Sequence, residues 1–342
     1  MGNPVLVEVW RGAMVDSRHT GAVAVVDSAG RSVLALGEVE RPVYPRSAIK
    51  ALQALPLVES GAADRYGLGS EELALACASH GGEPGHVATA AKMLARAGLD
   101  PAALQCGAHW PIHQPSAQLL ARSGGAATAL HNNCSGKHAG FLCTACAMET
   151  DPGRYIEPSH PVQREVRATL ENLSGAVLSE DVCAIDGCSV PTWAMPLSAL
   201  ARAFARFGTG QGLSPGRAQA AARLRAACAA HPWHVAGTGR FCTAVMEAFG
   251  ARAFVKTGAE GVFCAALPEQ GLGIAVKCDD GAGRAAEVAV AATIARFLSS
   301  DADRAALARF VRPRLKNWNG IAVGEIRPAA AVADEKTSLS RG

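Results

Sequence analysis

A chain of 342 residues has room for one large domain or two ordinary ones, with a sizeable core. Hydrophobic residues make up 49% and charged residues 18%, a globular composition that excludes disorder as the organising state. The formal charge of +3 comes from scattered residues, which excludes the basic run a nucleic-acid or membrane surface needs.

The N-terminal stretch "MGNPVLVEVW" has neither the basic start nor the long apolar run of an export signal. No later window approaches the ~18 uninterrupted apolar residues of a spanning helix. Both features point to a cytoplasmic protein. Eleven cysteines, an odd number in such a chain, are then expected to be reduced thiols. Cys77, Cys228, Cys242 and Cys264 lie in apolar surroundings and read as small core residues. Cys143 and Cys146 form a C-x-x-C inside the helical pattern "AGFLCTACAME", where core packing outweighs redox chemistry.

"PVLVEVW" reads as a strand, and "GAVAVVDSAGRSVLALGEV" as two strands turned by Asp27-Ser28-Ala29-Gly30. From about residue 46 to about 235 the apolar period is mostly helical, as in "SEELALACAS", "HVATAAKMLARAG" and "GRAQAAARLRAACAAH". Strand character returns with "ARAFVKTG", "EGVFCAALPE" and "GLGIAVKCDD". The Ala-rich stretch "GRAAEVAVAATIARFLSS" predicts a closing helix over about 283–300. Residues 331–342 hold little apolar content and are expected to form a disordered tail. The fold class is therefore α+β: an antiparallel sheet from about 4–40 and 250–280, with a helical lobe between. Residues 1–330 are expected to act as a single catalytic unit.

"YPRSAIKALQALPL" places Ser47 and Lys50 one helical turn apart, on a shared face. With 20 serines and 7 lysines, chance alone yields about 0.4 S-x-x-K matches, so the motif is weak by itself. Its context strengthens it. Pro45 suits a first helical turn, and Ile49, Leu52 and Leu55 form a stripe that would bury the helix. Burial disfavours a charged amine, so Lys50 can serve as a base for the Ser47 hydroxyl. Some 200 residues on, Lys256-Thr257-Gly258 ends a β-rich run. S-x-x-K with a later K-T-G is the pairing of serine acyl-transfer enzymes of the penicillin-binding and β-lactamase type. Their S-D-N motif is absent; "ACASHGGEPGH" offers Ser79 before a glycine pair instead.

"HNNCSGKHAGF" is a polar loop feeding an apolar helix expected to begin near Ala139. "AIDGCSVPTW" places Asp186 and Cys188 in a turn. Cys134, His138, Asp186 and Cys188 could supply thiolates, imidazole and carboxylate to zinc. Two structured turns with incidental cysteines are the plainer alternative.

The stretches "RSAIK", "ASHGGEPGH", "NNCSGKHAGFL", "IDGCSVPTW" and "KTGAEGV", in that order, resemble the Rhizobium etli-type L-asparaginases, the asparaginase II family. The similarity covers residues 4 to about 330. It implies a fold like that of serine β-lactamases and glutaminases, a homodimer, and two Ser–Lys tandems: Ser47 with Lys50, and Ser79 with Lys256. It further implies zinc held by Cys134, Lys137, Cys188 and water, with Asp186 nearby. Lys137 thus replaces His138 in the ligand set. The implied reaction turns the small-molecule substrate L-asparagine into L-aspartate and ammonia through a Ser47 acyl-enzyme. Arg46 or Asp186 would pair with the substrate's α-carboxylate or α-amino group. Backbone N–H groups of the Ser47 turn or near Gly136 would stabilise the oxyanion. Rival readings are another S-x-x-K hydrolase, acting on glutamine or a β-lactam, and a zinc-binding protein without activity.

Overall fold

A computed structural model describes residues 2–298 and 300–333. The fold is α+β. The chain divides into two compact units, one from the described parts of Met1–Ala48, Met195–Arg206 and Val255–Gly342, the other from Ile49–Ala194 and Phe207–Phe254.

The first unit is built on an eight-stranded sheet. In order its strands are Arg314–Lys316, Ala322–Pro328, Val5–Arg11, Met14–Asp27, Leu272–Cys278, Val262–Leu267 and Phe254–Thr257. Ser32–Leu36 pairs separately with Met14–Asp27. Met14–Asp27 is the organising strand. Its first half alternates exposed and covered residues and pairs antiparallel with Val5–Arg11. Its second half, Gly21–Val26, is buried throughout and pairs with Leu272–Cys278, Val23 opposite Val276. The change from alternation to a continuous apolar run marks where both faces of the sheet become covered. The helix Gly283–Phe297 packs on Leu272–Cys278 and Val262–Leu267, burying Val288, Ala289, Ala292 and neighbours.

The anticipated strands and the turn at Asp27–Gly30 are present. The closing helix ends at Phe297. A second helix, Asp301–Val311, and a hairpin, Arg314–Lys316 with Ala322–Pro328, follow it without having been anticipated. Val332 is buried in a turn, contrary to a tail disordered from 331; residues 334–342 lie outside the described set.

The second unit is helical. Its central helix, Ser135–Ala147, is buried on every side from Ser135 to Ala145, the mark of a helix enclosed by others. Helices Ser70–Ala76, Pro84–Arg96 and Pro161–Ser174 pack around it. It begins four residues before the expected start. Asn132 explains this: its Oδ1 accepts from the Cys134 N–H at 2.8 Å and its carbonyl from the Ser135 N–H at 2.9 Å. A small hairpin, Cys183–Ile185 with Pro191–Trp193, belongs to this unit, which runs on through the helix Phe241–Phe249. The expected lobe of about 46–235 thus gains this helix and gives up 46–48 and 195–206 to the sheet unit. Among the described residues, no helix is long and apolar enough to cross a membrane.

Candidate active site

Ser47 is half-buried in a 3-10 turn, Arg46–Ile49, that continues as the short helix Lys50–Gln53. The apolar stripe behaves as expected: Ile49, Leu52 and Leu55 are buried, and Lys50 is fully buried with them. Arg46, immediately before the serine, has φ of 51°, left-handed backbone that costs a non-glycine residue about 1–2 kcal/mol. Among the described residues five non-glycine residues have positive φ, and three adjoin candidate motifs: Arg46, Ser189 after Cys188, and Glu260 in "KTGAEGV". Strain of this kind collects at functional sites. No sequence pattern announced it.

The Lys50 amine lies within hydrogen-bond distance of three oxygens: Ala78 O at 2.7 Å, Ser79 Oγ at 2.8 Å and Asn133 O at 3.2 Å. An ammonium would donate to all three. A neutral amine would spend its two N–H groups on the carbonyls and turn its lone pair to the Ser79 hydroxyl. The site therefore accommodates both protonation states of Lys50 without leaving a buried group unpaired. Ser79 is itself pinned, because its backbone N–H donates to Val235 O at 2.9 Å. Asn133 was not singled out by sequence, since it acts here through its carbonyl and a carbonyl carries no residue signature.

Lys256 is buried at the end of Phe254–Thr257, where its amine donates to Thr257 O at 3.0 Å. Lys50, Lys137 and Lys256 are the buried lysines among the six described, although lysine is rarely buried without a partner. Gly258 explains why K-T-G ends in glycine. A Cβ there would stand 2.8 Å from Pro45 O and 3.3 Å from the Ala48 Cβ. The end of the K-T-G strand therefore lies directly against the turn that carries Ser47.

Cys134, Lys137 and Cys188 meet in the helical unit, all buried. The Lys137 amine donates to Cys188 Sγ at 3.1 Å, and the Cys134 thiol donates to Asn133 Oδ1 at 3.3 Å. The adjacent Cys188 thiol, opposed by burial and helped by Lys50 and Lys137, holds Cys134 well below the ordinary thiol range. Cys134 and burial push Cys188 up. Burial would lower Lys137, yet the Cys188 and Cys134 sulfurs and Asp186 raise it overall. Asp186 Oδ2 stands 3.8 Å from Cys188 Sγ. Among the described residues no three His, Cys, Asp or Glu side chains gather into a metal-binding group, so a metal here depends on the lysine nitrogen. Two sulfurs and an amine suit zinc, whose bond lengths would put tetrahedral S and N donors about 3.5 Å apart. His138 is turned away, its Nδ1 2.6 Å from the Tyr155 hydroxyl. Gly136 has a packing role: a Cβ there would meet Leu75 O at 2.3 Å. Cys143 is buried in the core, its thiol pushed up to about 12 by burial.

Three fully buried histidines surround these groups and are held neutral. Burial, then the nearby His86 and Lys50, keep His80 well below the ordinary imidazole range. Burial brings His86 down to about 4 against the opposing Trp233 carbonyl and Glu83. Burial and Lys137 act likewise on His138. A depressed folded-state value means that the unfolded chain takes up protons first as pH falls. Stability should thus be complete above about pH 6.5 and drain away down to about pH 4, His86 alone contributing roughly 2 kcal/mol by about pH 5. Urea unfolding at about pH 7 and about pH 5 measures this, and equal stabilities at the two values would overturn it.

A family model described as L-asparaginase II matches residues 7–328. No curated protein matches the chain. Among solved structures, a β-lactamase from Mycobacterium bovis matches at 16% identity and a TM-score of 0.36, over 78% of this chain and 89% of that one. A putative β-lactamase from Bacteroides dorei matches at 14% identity and a TM-score of 0.37, over 75% and 84%.

Proposed function

From the chain's membership of the L-asparaginase II family, we propose that it hydrolyses L-asparagine to L-aspartate and ammonia through a serine acyl-enzyme. The observation that carries the Ser–Lys chemistry is the buried Lys50 amine, 2.8 Å from Ser79 Oγ and one helical turn from Ser47. In this reading Ser47 attacks the side-chain amide carbon while Lys50 accepts its proton. The tetrahedral intermediate collapses as the C–N bond breaks, and the proton leaves with ammonia by way of Ser79, with Lys256 as partner. Water then attacks the ester, and Ser47 regains its proton as aspartate departs. Backbone N–H groups of the Ser47 turn, or that of Gly136 in the first turn of its helix, serve the oxyanion. Arg46 pairs with the substrate's α-carboxylate and Asp186 with its α-amino group. Residues 1–330 act as a single catalytic unit, in a cytoplasmic homodimer.

Cys134, Lys137 and Cys188 would hold zinc, with Asp186 as neighbour. When bound, the metal supplies charge that replaces the protons of the thiols and amine and fixes the hairpin to the helix. Metal analysis of purified protein should give about one zinc per chain, and less than about a tenth of that in Cys188→Ser. Equal zinc in both would sink this ligand set. The activity is tested by ammonia release from L-asparagine, with L-glutamine alongside. Glutamine needs its own assay, because one methylene gives only about 1–3 kcal/mol of discrimination. No release from either amide by folded, zinc-loaded protein would overturn the assignment.

A further inference from the structure

Residues 79–83 form an irregular segment that is buried along its whole length, and such a segment must find a partner for every backbone polar group. Its partners are local and specific. The His80 N–H points to Asn133 O, the Gly82 N–H to His80 Nδ1, and the Glu83 N–H to His86 Nδ1. Gly81 O accepts from the His113 N–H at 2.9 Å. One side chain in the segment serves none of these backbone groups. Glu83 is only 6% exposed and directs both carboxylate oxygens at Thr238. Oε1 accepts from the Thr238 N–H at 2.8 Å, and Oε2 from its hydroxyl at 2.7 Å.

These bonds close a ring of contacts. The Thr238 hydroxyl also accepts from Trp233 Nε1 at 3.0 Å, so both its hydrogen-bonding directions are used. The Trp233 indole stacks on His86 at 3.9 Å, and His86 Nε2 donates to the Trp233 carbonyl at 3.0 Å. His86 Nδ1 receives the Glu83 N–H, which returns the ring to its start. The approach is tight at Gly237, where φ is +107° and a Cβ would stand 2.5 Å from Glu83 Oε1. Between Trp233 and Gly237 lies Val235, whose carbonyl holds the Ser79 N–H at 2.9 Å.

We propose that Glu83 is a positioning residue: through Thr238 it sets segment 233–238, and through Val235 O it sets where Ser79 Oγ stands beside Lys50. The inference rests on the proposed role of Ser79 in proton transfer, but its geometry does not depend on the substrate. Glu83 touches no reacting atom. A carboxylate is required because both its oxygens must accept, and a glutamine would present an N–H donor to one of the Thr238 groups.

The test compares wild type with Glu83→Gln, Thr238→Val and Thr238→Ser, by kinetics on L-asparagine and by native-state amide exchange at Ser79. Glu83→Gln and Thr238→Val should each lower kcat about tenfold with KM changed less than about twofold, while Thr238→Ser retains most of kcat. The Ser79 amide should exchange about tenfold faster in the two impaired variants and at the wild-type rate in Thr238→Ser. The double variant Glu83→Gln/Thr238→Val should be no worse than Glu83→Gln alone, as one interaction is lost only once. Unchanged Ser79 exchange in folded Glu83→Gln and Thr238→Val would overturn the proposal. Equal impairment of Thr238→Ser and Thr238→Val would also overturn it, since that is what bulk destabilisation produces. If wild type itself releases no ammonia, the functional reading fails while the exchange comparison still decides the positioning claim.

Discussion

Ser47→Ala should lose turnover on L-asparagine by on the order of 10⁴-fold or more, with far-UV circular dichroism and melting temperature close to wild type. Ser47 is half-buried and its substitution removes one hydroxyl from a turn, so the fold has little to lose. The choice of Ser47 over Ser79 as nucleophile rests on access. Ser79 is only 5% exposed, with its hydroxyl against Lys50 and its amide against Val235. Ser47 stands at the head of a 3-10 turn, preceded by a residue in left-handed backbone and faced by the glycine that ends K-T-G. Rapid quenching of wild type should trap a β-aspartyl ester that peptide mapping places on Ser47. Ser79→Ala should form the same ester more slowly, because it loses a proton carrier and keeps the attacking group. An ester on Ser79, with turnover persisting in Ser47→Ala, would exchange the roles of the two serines.

How far the sequence could lead is seen in the same residues. The burial of Lys50 was legible because a 3.6-residue apolar stripe around it left no other outcome. The sheet was legible where strands are continuous apolar runs, as in Gly21–Val26 and Val262–Leu267. It was not legible in Arg314–Lys316 and Ala322–Pro328. These carry charge and glycine and become strands only because Val5–Arg11 offers a free edge, Val9 opposite Ile326. Propensity does not encode such pairing. The site divides in the same way. Motifs named Ser47, Lys50, Ser79, Lys256, Cys134 and Cys188 from side-chain type. The groups that hold Lys50 in place, Ala78 O and Asn133 O, are carbonyls brought together from distant parts of the chain. The short helix that holds Ser79, Pro232–Ala236, is likewise more than 150 residues away, through the Val235 carbonyl.

Lys50→Met should abolish turnover to a comparable degree, by on the order of 10³-fold or more, for a different physical reason. Methionine keeps the length and the packing but removes the group that accepts a proton. The cost to stability should be small, because two effects oppose each other. Ala78 O loses its 2.7 Å donor, at about 1–3 kcal/mol for a buried carbonyl left unpaired. Against this, a fully buried amine no longer has to be taken out of water, which returns a similar amount. Asn133 O stays partly satisfied, since the His80 N–H also points to it at 3.3 Å. Urea unfolding should therefore place Lys50→Met within about 2 kcal/mol of wild type. Lys50→Arg separates charge from basicity. A guanidinium retains positive charge and can donate to the same carbonyls, but it stays protonated throughout the accessible pH range. If Lys50 acts as a base, the arginine variant should be as inactive as the methionine variant at every pH tested. If its charge alone matters, by holding Ser79 or steadying an oxyanion, arginine should restore a substantial share of kcat. Such restoration would move the base to Lys256, the other buried lysine of the Ser–Lys tandems.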